Sequence, residues 1–275
     1  MTGTRPDYLF TYGTSEHQRL VAQGALLDPL TRELFAAAGL GPGARALDLG
    51  CGAGNVSLLA AELVGPAGSV LGVDTNPETV ALAAAHAARL GVDNVEFRVA
   101  DVQTLDGVED GFDAVVGRLI LMYLTDPVAA LRTAVERVRP GGLVCFHEAD
   151  FEYEWSVPVP PLWRYTYECL HETMARAGVE TRMAHRLHAT FRAAGLPAPR
   201  MRLGADAWGG DMLPTYGWAD VVLGALPLME SLGVTTAEEL GADTLRERMR
   251  AELRDVDGIV ISAVLTGAWT RRFPR

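Results

Sequence analysis

Leu47-Asp48-Leu49-Gly50-Cys51-Gly52-Ala53-Gly54-Asn55 sets three alternating glycines behind a short apolar run. Glycine admits positive φ angles and carries no Cβ, so a strand-to-helix turn of this composition lets a ligand approach the backbone and the first N–H groups of the helix. A glycine-rich turn alone is a weak signal. The spacing is G-x-G-x-G, with Asn55 where the dinucleotide fingerprint G-x-G-x-x-G requires glycine, which counts against a nicotinamide dinucleotide. Carboxylates extend the pattern. Asp74 follows Val70-Leu71-Gly72-Val73 and stands 24 positions beyond Gly50, where a strand-tip carboxylate can accept both hydroxyls of a ribose. Asp101 follows Phe97-Arg98-Val99-Ala100 and can accept a hydrogen bond from an adenine amino group. Several cofactors contain these groups, so neither aspartate discriminates by itself.

Such residues meet only if successive strand ends are brought to one edge. From Arg45 to Asp150 apolar runs alternate with helical patterns, the mark of repeated βαβ units around a parallel sheet. The runs predict strands at 44–49, 69–73, 95–99, 112–116 and 143–146. Asn76-Pro77 and Asp126-Pro127 each offer an N-cap followed by proline at the first helical position, Gly91 closes the first of these helices, and Arg139-Pro140-Gly141-Gly142 is expected to end the second. Residues 14–40 read as two helices broken near Asp28-Pro29. Helical periodicity returns over 162–177 and 181–194, then 200–205 reads as a sixth strand, 214–254 as two helices and 259–268 as a closing strand.

Composition narrows the function classes. The net charge of −11 over 275 residues opposes a phosphate backbone, and Arg132, Arg137 and Arg139 are interspersed with Glu136 rather than forming a basic stripe. Cys51, Cys145 and Cys169 are odd in number with no C-x-x-C pair, so neither a disulfide framework nor a zinc site is expected. His185 and His188 have a metal-compatible spacing but no third ligand, and no metal is expected. Residues 1–10 carry Arg5, Pro6 and Asp7 and no apolar stretch, so a cytoplasmic location is the expectation and no membrane partner is anticipated.

In order along the chain, Leu47-Asp48-Leu49-Gly50-Cys51-Gly52-Ala53-Gly54, Val73-Asp74, Ala100-Asp101-Val102, Phe112-Asp113-Ala114-Val115-Val116 and Arg139-Pro140-Gly141-Gly142 resemble the successive motifs of class I S-adenosylmethionine-dependent methyltransferases. The flanks resemble their small-molecule branch with a helical cap. The resemblance implies an α/β fold: a Rossmann-like, doubly wound, seven-stranded, mostly parallel sheet with an antiparallel last strand, plus N-terminal and inserted lid helices. It implies a cap at 1–40 and a main domain at 41–275 with lid insertions at about 151–180 and 208–256. It implies S-adenosylmethionine as cofactor, with the methionine moiety near Gly50, Gly52 and the Gly117-Arg118 backbone, the ribose at Asp74, and the adenine beside Thr75, Asp101 and Val102. It further implies that Asp48 orients the loop from below, that Asn55 joins the cofactor set, and that residues such as Tyr12, Arg19 and Gln23 of the cap close over the methionine end.

Methyl transfer needs an in-line arrangement and exclusion of water, so a dedicated base is optional. Where the acceptor must lose a proton, His147 and Glu148, at the carboxyl end of a strand, are the first candidates; the alternative is that they cap the strand. Tyr123, Tyr165 and His171 are candidate substrate contacts, each equally explicable as packing. For Arg118 the alternatives are an anchor for an acidic substrate or an ion pair with Asp113. Trp155, Trp163, Trp208 and Trp218 suit an apolar or aromatic acceptor or a lid core. The expected activity is methyl transfer to O, N or C of a small molecule. The alternatives are a cyclase or eliminase that binds the cofactor without transferring the methyl group, and a catalytically silent binding protein. Expected partners are a small-molecule acceptor and a second copy in a homodimer; nucleic acid is not among them.

Overall fold

The computed structural model describes residues 8–209 and 212–273; Arg5, Pro6 and Asp7 lie outside them. In chain order the elements are α1 (Thr14–Ala38), β1 (Arg45–Leu49), α2 (Asn55–Val64), β2 (Ser69–Asp74), α3 (Pro77–Leu90), β3 (Val95–Val99), β4 (Phe112–Arg118), α4 (Pro127–Arg137) and β5 (Val138–Asp150). There follow β6 (Ser156–Val157), α5 (Pro161–Ala177), α6 (Met183–Ala193), β7 (Arg200–Gly204), β8 (Ala207–Gly209), α7 (Trp218–Ser231), α8 (Ala237–Leu240), α9 (Leu245–Asp255), β9 (Ile259–Ile261) and β10 (Val264–Arg271). The chain divides into two compact units.

The larger unit, Tyr12–Glu148, Met183–Leu203 and Leu265–Arg275, carries the seven-stranded sheet, ordered β3-β2-β1-β4-β5-β10-β7. β1 pairs in parallel with β2 and β4, β2 with β3, and β4 with β5. The register sets Leu49 against Val73 and Gly117, Asp74 against Val99, and Arg118 against His147. The loops after all five of these strands therefore open at one edge. The final strand runs the other way: Gly141 N–H donates to the Arg272 carbonyl at 3.0 Å and Arg272 N–H to the Gly142 carbonyl at 2.8 Å, so the end of β10 lies beside the start of β5. Strands covered on both faces are buried almost continuously, as Ala46, Leu47, Asp48 and Leu49 are; β1 packs with Val56, Leu59 and Ala60 of α2 and Leu34 and Phe35 of α1.

Four expectations are corrected. α1 runs unbroken through Pro29: Gly24, Leu27, Thr31, Leu34, Phe35 and Ala38 form a buried stripe at helical spacing, while Ala25 and Pro29 lie on the exposed side, where water can serve the carbonyl that proline leaves unbonded. Arg139-Pro140-Gly141-Gly142 does not end α4, which stops at Arg137; it belongs to β5, whose register against β4 is irregular there. The span 259–268 is two strands, since β9 leaves the main sheet to join β6 and β8 in a small antiparallel one, and Ser262 and Asp206 pair where it ends. The span 214–254 holds α7, α8 and α9 rather than two helices.

The smaller unit comprises the described residues within Met1–Thr11, Ala149–Arg182 and Gly204–Val264. Its centre is aromatic. Trp155 and Trp218 stack at 4.0 Å with an interplanar angle of 3°, and Phe151, Tyr153 and Tyr167 meet that pair edge-on. Trp163 donates its indole N–H to the Met249 carbonyl at 2.9 Å and Trp218 to the Ile261 carbonyl at 2.8 Å. Burial makes the three tryptophans core residues of this unit.

Candidate functional site

The chain leaves β1 at Leu49 and must turn at once into α2, because α2 packs back on the strand. Gly50 and Gly52 make that turn at φ +65° and +52°, the left-handed region where a side chain is strained. A Cβ on Gly50 would also run into the side chain of Ile120, which follows β4. Cys51 N–H donates to the Val73 carbonyl at 2.9 Å, tying the turn to β2. The tip of β2 completes the arrangement: Asp74 Oδ2 accepts Gly52 N–H and Oδ1 accepts Asn76 N–H, each at 3.1 Å. Each carboxylate oxygen has two acceptor positions, so capacity for two hydroxyls remains. Burial raises the Asp74 pKa against the opposing effect of its backbone hydrogen bonds. A ribose diol is a fitting partner for this carboxylate: it adds donors without adding charge.

Asp48 lies beneath the turn and is fully buried, accepting the Ser57 hydroxyl at 2.6 Å while its other oxygen has no partner among the described residues. Burial pushes its pKa up to about 7, opposed by the Ser57 bond. The turn is also held from α1, where Asn55 Nδ2 donates to the Leu20 carbonyl at 2.6 Å. Gly24 lies against the Asn55 amide so closely that any Cβ there would collide with it. Asn55 thus fastens α2 to α1. Gln23 precedes Gly24 on α1, half-buried, and Tyr12 is exposed just before that helix. Arg19 forms a two-pronged, buried ion pair with Glu16 at 2.6 and 2.7 Å. Beyond β3, Asp101 is exposed and its Oδ1 accepts Gln103 N–H at 2.8 Å, while Val102 is buried and Thr75 exposed.

The family described as a methyltransferase domain matches residues 40–195, which hold every element of this turn and its acidic neighbours. The chain belongs to this methyltransferase family, of the class I, S-adenosylmethionine-dependent type. Among relatives, the chain is 37% identical over 119 residues to the protein Mb1440c of Mycobacterium bovis, covering 43% of this chain and 42% of that one. It is 31% identical over 152 residues to the aklanonic acid methyltransferase DauC of a Streptomyces species, covering 55% and 68%. The chain thus spans less than half the length of the first curated relatives it matches. Its fold is that of the solved structure of the Bacillus halodurans protein BH2331, with a TM-score of 0.56 at 15% identity over 88% of this chain and 98% of that one.

On the β4–β5 side of the methyltransferase sheet the expected acid–base residues are tied into the scaffold. Glu148 has no solvent exposure; its Oε1 accepts the N–H groups of Ile120 at 3.1 Å and Leu121 at 2.9 Å, and its Oε2 has no partner among the described residues. Burial raises its pKa to about 7 against those bonds. His147 Nδ1 lies 3.2 Å from Thr31 Oγ1. Thr31 Oγ1 is also 3.1 Å from the Leu27 carbonyl, to which it can donate, and accepts from Arg118 Nη1 at 2.9 Å, which leaves it one lone pair to accept from His147 Nδ1. Burial, with the Arg118 guanidinium, lowers the His147 pKa to about 3. Arg118 pairs with Asp28 at 2.8 Å, which corrects the expected partner Asp113. In β4, Asp113 and Arg118 are five residues, about 16 Å, apart along the strand, and Asp113 pairs instead with Arg139 while accepting Arg45 N–H at 2.8 Å. Gly117 is buried where a Cβ would strike Phe146.

Tyr123 ends the short 3-10 turn after β4, half-buried. Tyr165 and His171 lie on α5 in the smaller unit: Tyr165 shares a 2.8 Å hydrogen bond with Thr235, and His171 contacts the Tyr167 and Phe151 carbonyls at 2.9 and 2.7 Å. No group of three or more ligating side chains is assembled among the described residues. No helix among them is long and apolar enough to cross a membrane.

Sequence reasoning missed Leu20, Gly24, Asp28, Thr31 and Ile120. Gly24 had a signal, being a glycine within an otherwise continuous helical pattern. The others have side chains of ordinary type whose partners are distant in sequence.

Proposed function

We propose that this chain transfers the methyl group of S-adenosylmethionine to O, N or C of a small acceptor, of apolar or aromatic class. The observation that carries the reading is the Asp74 carboxylate fixed on Gly52 N–H at the tip of β2, beside a glycine turn that leaves backbone approachable. In this reading Asp74 binds the ribose, Thr75, Asp101 and Val102 flank the adenine, and Gly50, Gly52 and the Gly117-Arg118 backbone meet the methionine portion. Gln23 approaches that portion from α1, and Tyr12 from the segment just before it. When bound, the cofactor supplies an electrophilic methyl group on a sulfonium. The chain's own contribution is then orientation and exclusion of water. Glu148 acts by holding Ile120, the residue that abuts Gly50, and His147 by bracing α1 through Thr31. DauC, named for aklanonic acid, supports the aromatic class of acceptor.

The test is a panel of phenols, hydroxyquinones, aromatic polyketide acids and amines incubated with the protein and S-adenosylmethionine. S-adenosylhomocysteine is measured together with the mass of the acceptor. A gain of one methyl group with stoichiometric S-adenosylhomocysteine is the expected result. Conversion of an acceptor without S-adenosylhomocysteine establishes the cyclase or eliminase alternative instead.

A further inference from the structure

At the opposite end of the sheet, a cavity of about 630 Å³ is lined by Gly141, Arg200, Trp269, Arg271, Arg272 and Phe273, together with small residues of α1 and the 197–198 loop. Gly141 lies six residues before His147 on β5, so the cavity is about 20 Å along the strand from the edge that bears the glycine turn. Its volume falls in the range of small-molecule sites. Its chemistry is unusual for this chain. The protein carries a net charge of −11, yet three arginines are among the residues lining one cavity whose described lining contains no carboxylate.

The three arginines also have no carboxylate partner among the described residues. Arg272 is fixed by its Nη1, which donates to the carbonyls of Val135, Glu136 and Val138 at the end of α4. Arg271 Nη2 reaches the Ala38 and Gly39 carbonyls at the end of α1, at 3.3 and 3.5 Å. Each is thereby held in place by one nitrogen, and a guanidinium has five N–H donors. Arg200 is exposed, with its guanidinium carbon 5.4 Å from the centre of the Trp269 ring, within cation–π range. Trp269 is packed into the core and Phe273 is half-exposed. One anchored guanidinium, Arg271, and one exposed guanidinium, Arg200, beside two aromatic rings match a planar anion: the fork geometry of arginine suits a carboxylate, and the rings suit an apolar plane.

We propose that this cavity is a second ligand site, separate from the cofactor site, that binds a compact aromatic carboxylate. The carboxylate meets Arg200 and Arg271, and the ring system lies against Trp269 and Phe273. The test is titration calorimetry of the full chain with 1-naphthoate, with the neutral 1-naphthalenemethanol as control, with and without saturating S-adenosylhomocysteine. Arg200→Gln is the variant of choice, because Arg200 is exposed and its loss removes no hydrogen bond or ion pair within the described residues. The expected result is one-to-one binding of naphthoate that is at least tenfold weaker for the neutral alcohol and for Arg200→Gln, and unaltered by S-adenosylhomocysteine. Absence of saturable binding, equal affinity for the alcohol, full affinity in Arg200→Gln, or displacement by S-adenosylhomocysteine each overturns it. Equally strong binding of inorganic phosphate in competition with naphthoate overturns the aromatic half of the assignment.

Discussion

At the ends of β1 and β2, the Asp74 carboxylate grips the Gly52 and Asn76 N–H groups from a partly open position. At the ends of β4 and β5, the Glu148 carboxylate grips the Ile120 and Leu121 N–H groups with no exposure at all. Both carboxylates hold loops at the same edge of one sheet. They differ in what is left over. Asp74 retains acceptor capacity beside glycines that keep side chains away, whereas the remaining oxygen of Glu148 is sealed in the interior. Both regions set a carboxylate at or near a strand end, so exposure decides which can meet a ligand. The proposed cofactor contact falls in the first region and the proposed support role in the second.

The largest effect expected is at Gly50. A valine there combines a positive φ with a clash against Ile120, and left-handed strain alone costs ~1–3 kcal/mol, more for a branched side chain. Affinity for S-adenosylmethionine should fall more than about a hundredfold by titration calorimetry, with the fold retained by circular dichroism. Asp74→Ala comes next. Losing hydrogen bonds to a charged group is worth ~1.5–3 kcal/mol, a loss of more than about tenfold in affinity. Unchanged binding in that variant would remove the distinction between the two regions.

Glu148 sharpens the comparison through pH. Its folded pKa of about 7 lies above the ordinary value of 4.5, so the folded state holds a proton that the unfolded chain has released. The associated stability is present below about pH 4.5 and is lost as pH rises through about 7. Asp48 acts in the same direction, with burial again the cause. Glu148→Gln keeps an acceptor for the Ile120 and Leu121 N–H groups and removes the titration. Urea denaturation at pH 5 and pH 8 should show that the variant loses about 2 kcal/mol less than the parent over that interval. An identical pH dependence in both proteins would show that Glu148 does not titrate there.

The legible and illegible parts of the molecule divide by sequence distance. The glycine turn, Asp74 and the five parallel strands could be read because apolar runs, caps and turn residues act within a few positions of one another. The class I resemblance extended that reading to the antiparallel closing strand. The partners of the site residues could not be read in this way. Arg118 meets Asp28 across 90 positions, and Asn55 meets Leu20 across 35. Nothing in the local pattern distinguishes Asp28 from Asp113 as the mate of Arg118; the fixed length of β4 does. Pro29 misled for a related reason: local propensity argues for a break, but the buried stripe on either side of it carries the helix through.

The smallest effect is expected at His147, and it is the most direct test of the support role. With a pKa near 3, its ring is neutral throughout the range from pH 6 to 9, and its Nδ1 is committed to Thr31. His147→Gln, which can reproduce a donor toward the Thr31 hydroxyl, should therefore leave S-adenosylmethionine affinity within about threefold of the parent, under 1 kcal/mol. The shape of the rate profile between pH 6 and 9 should be unchanged with any acceptor the panel yields. A general base at this position would behave differently. Its removal would lower kcat by about a hundredfold or more at unchanged cofactor affinity, the usual contribution of a positioned proton acceptor. That outcome would move His147 out of the scaffold and give the β4–β5 region a chemical role that its burial argues against.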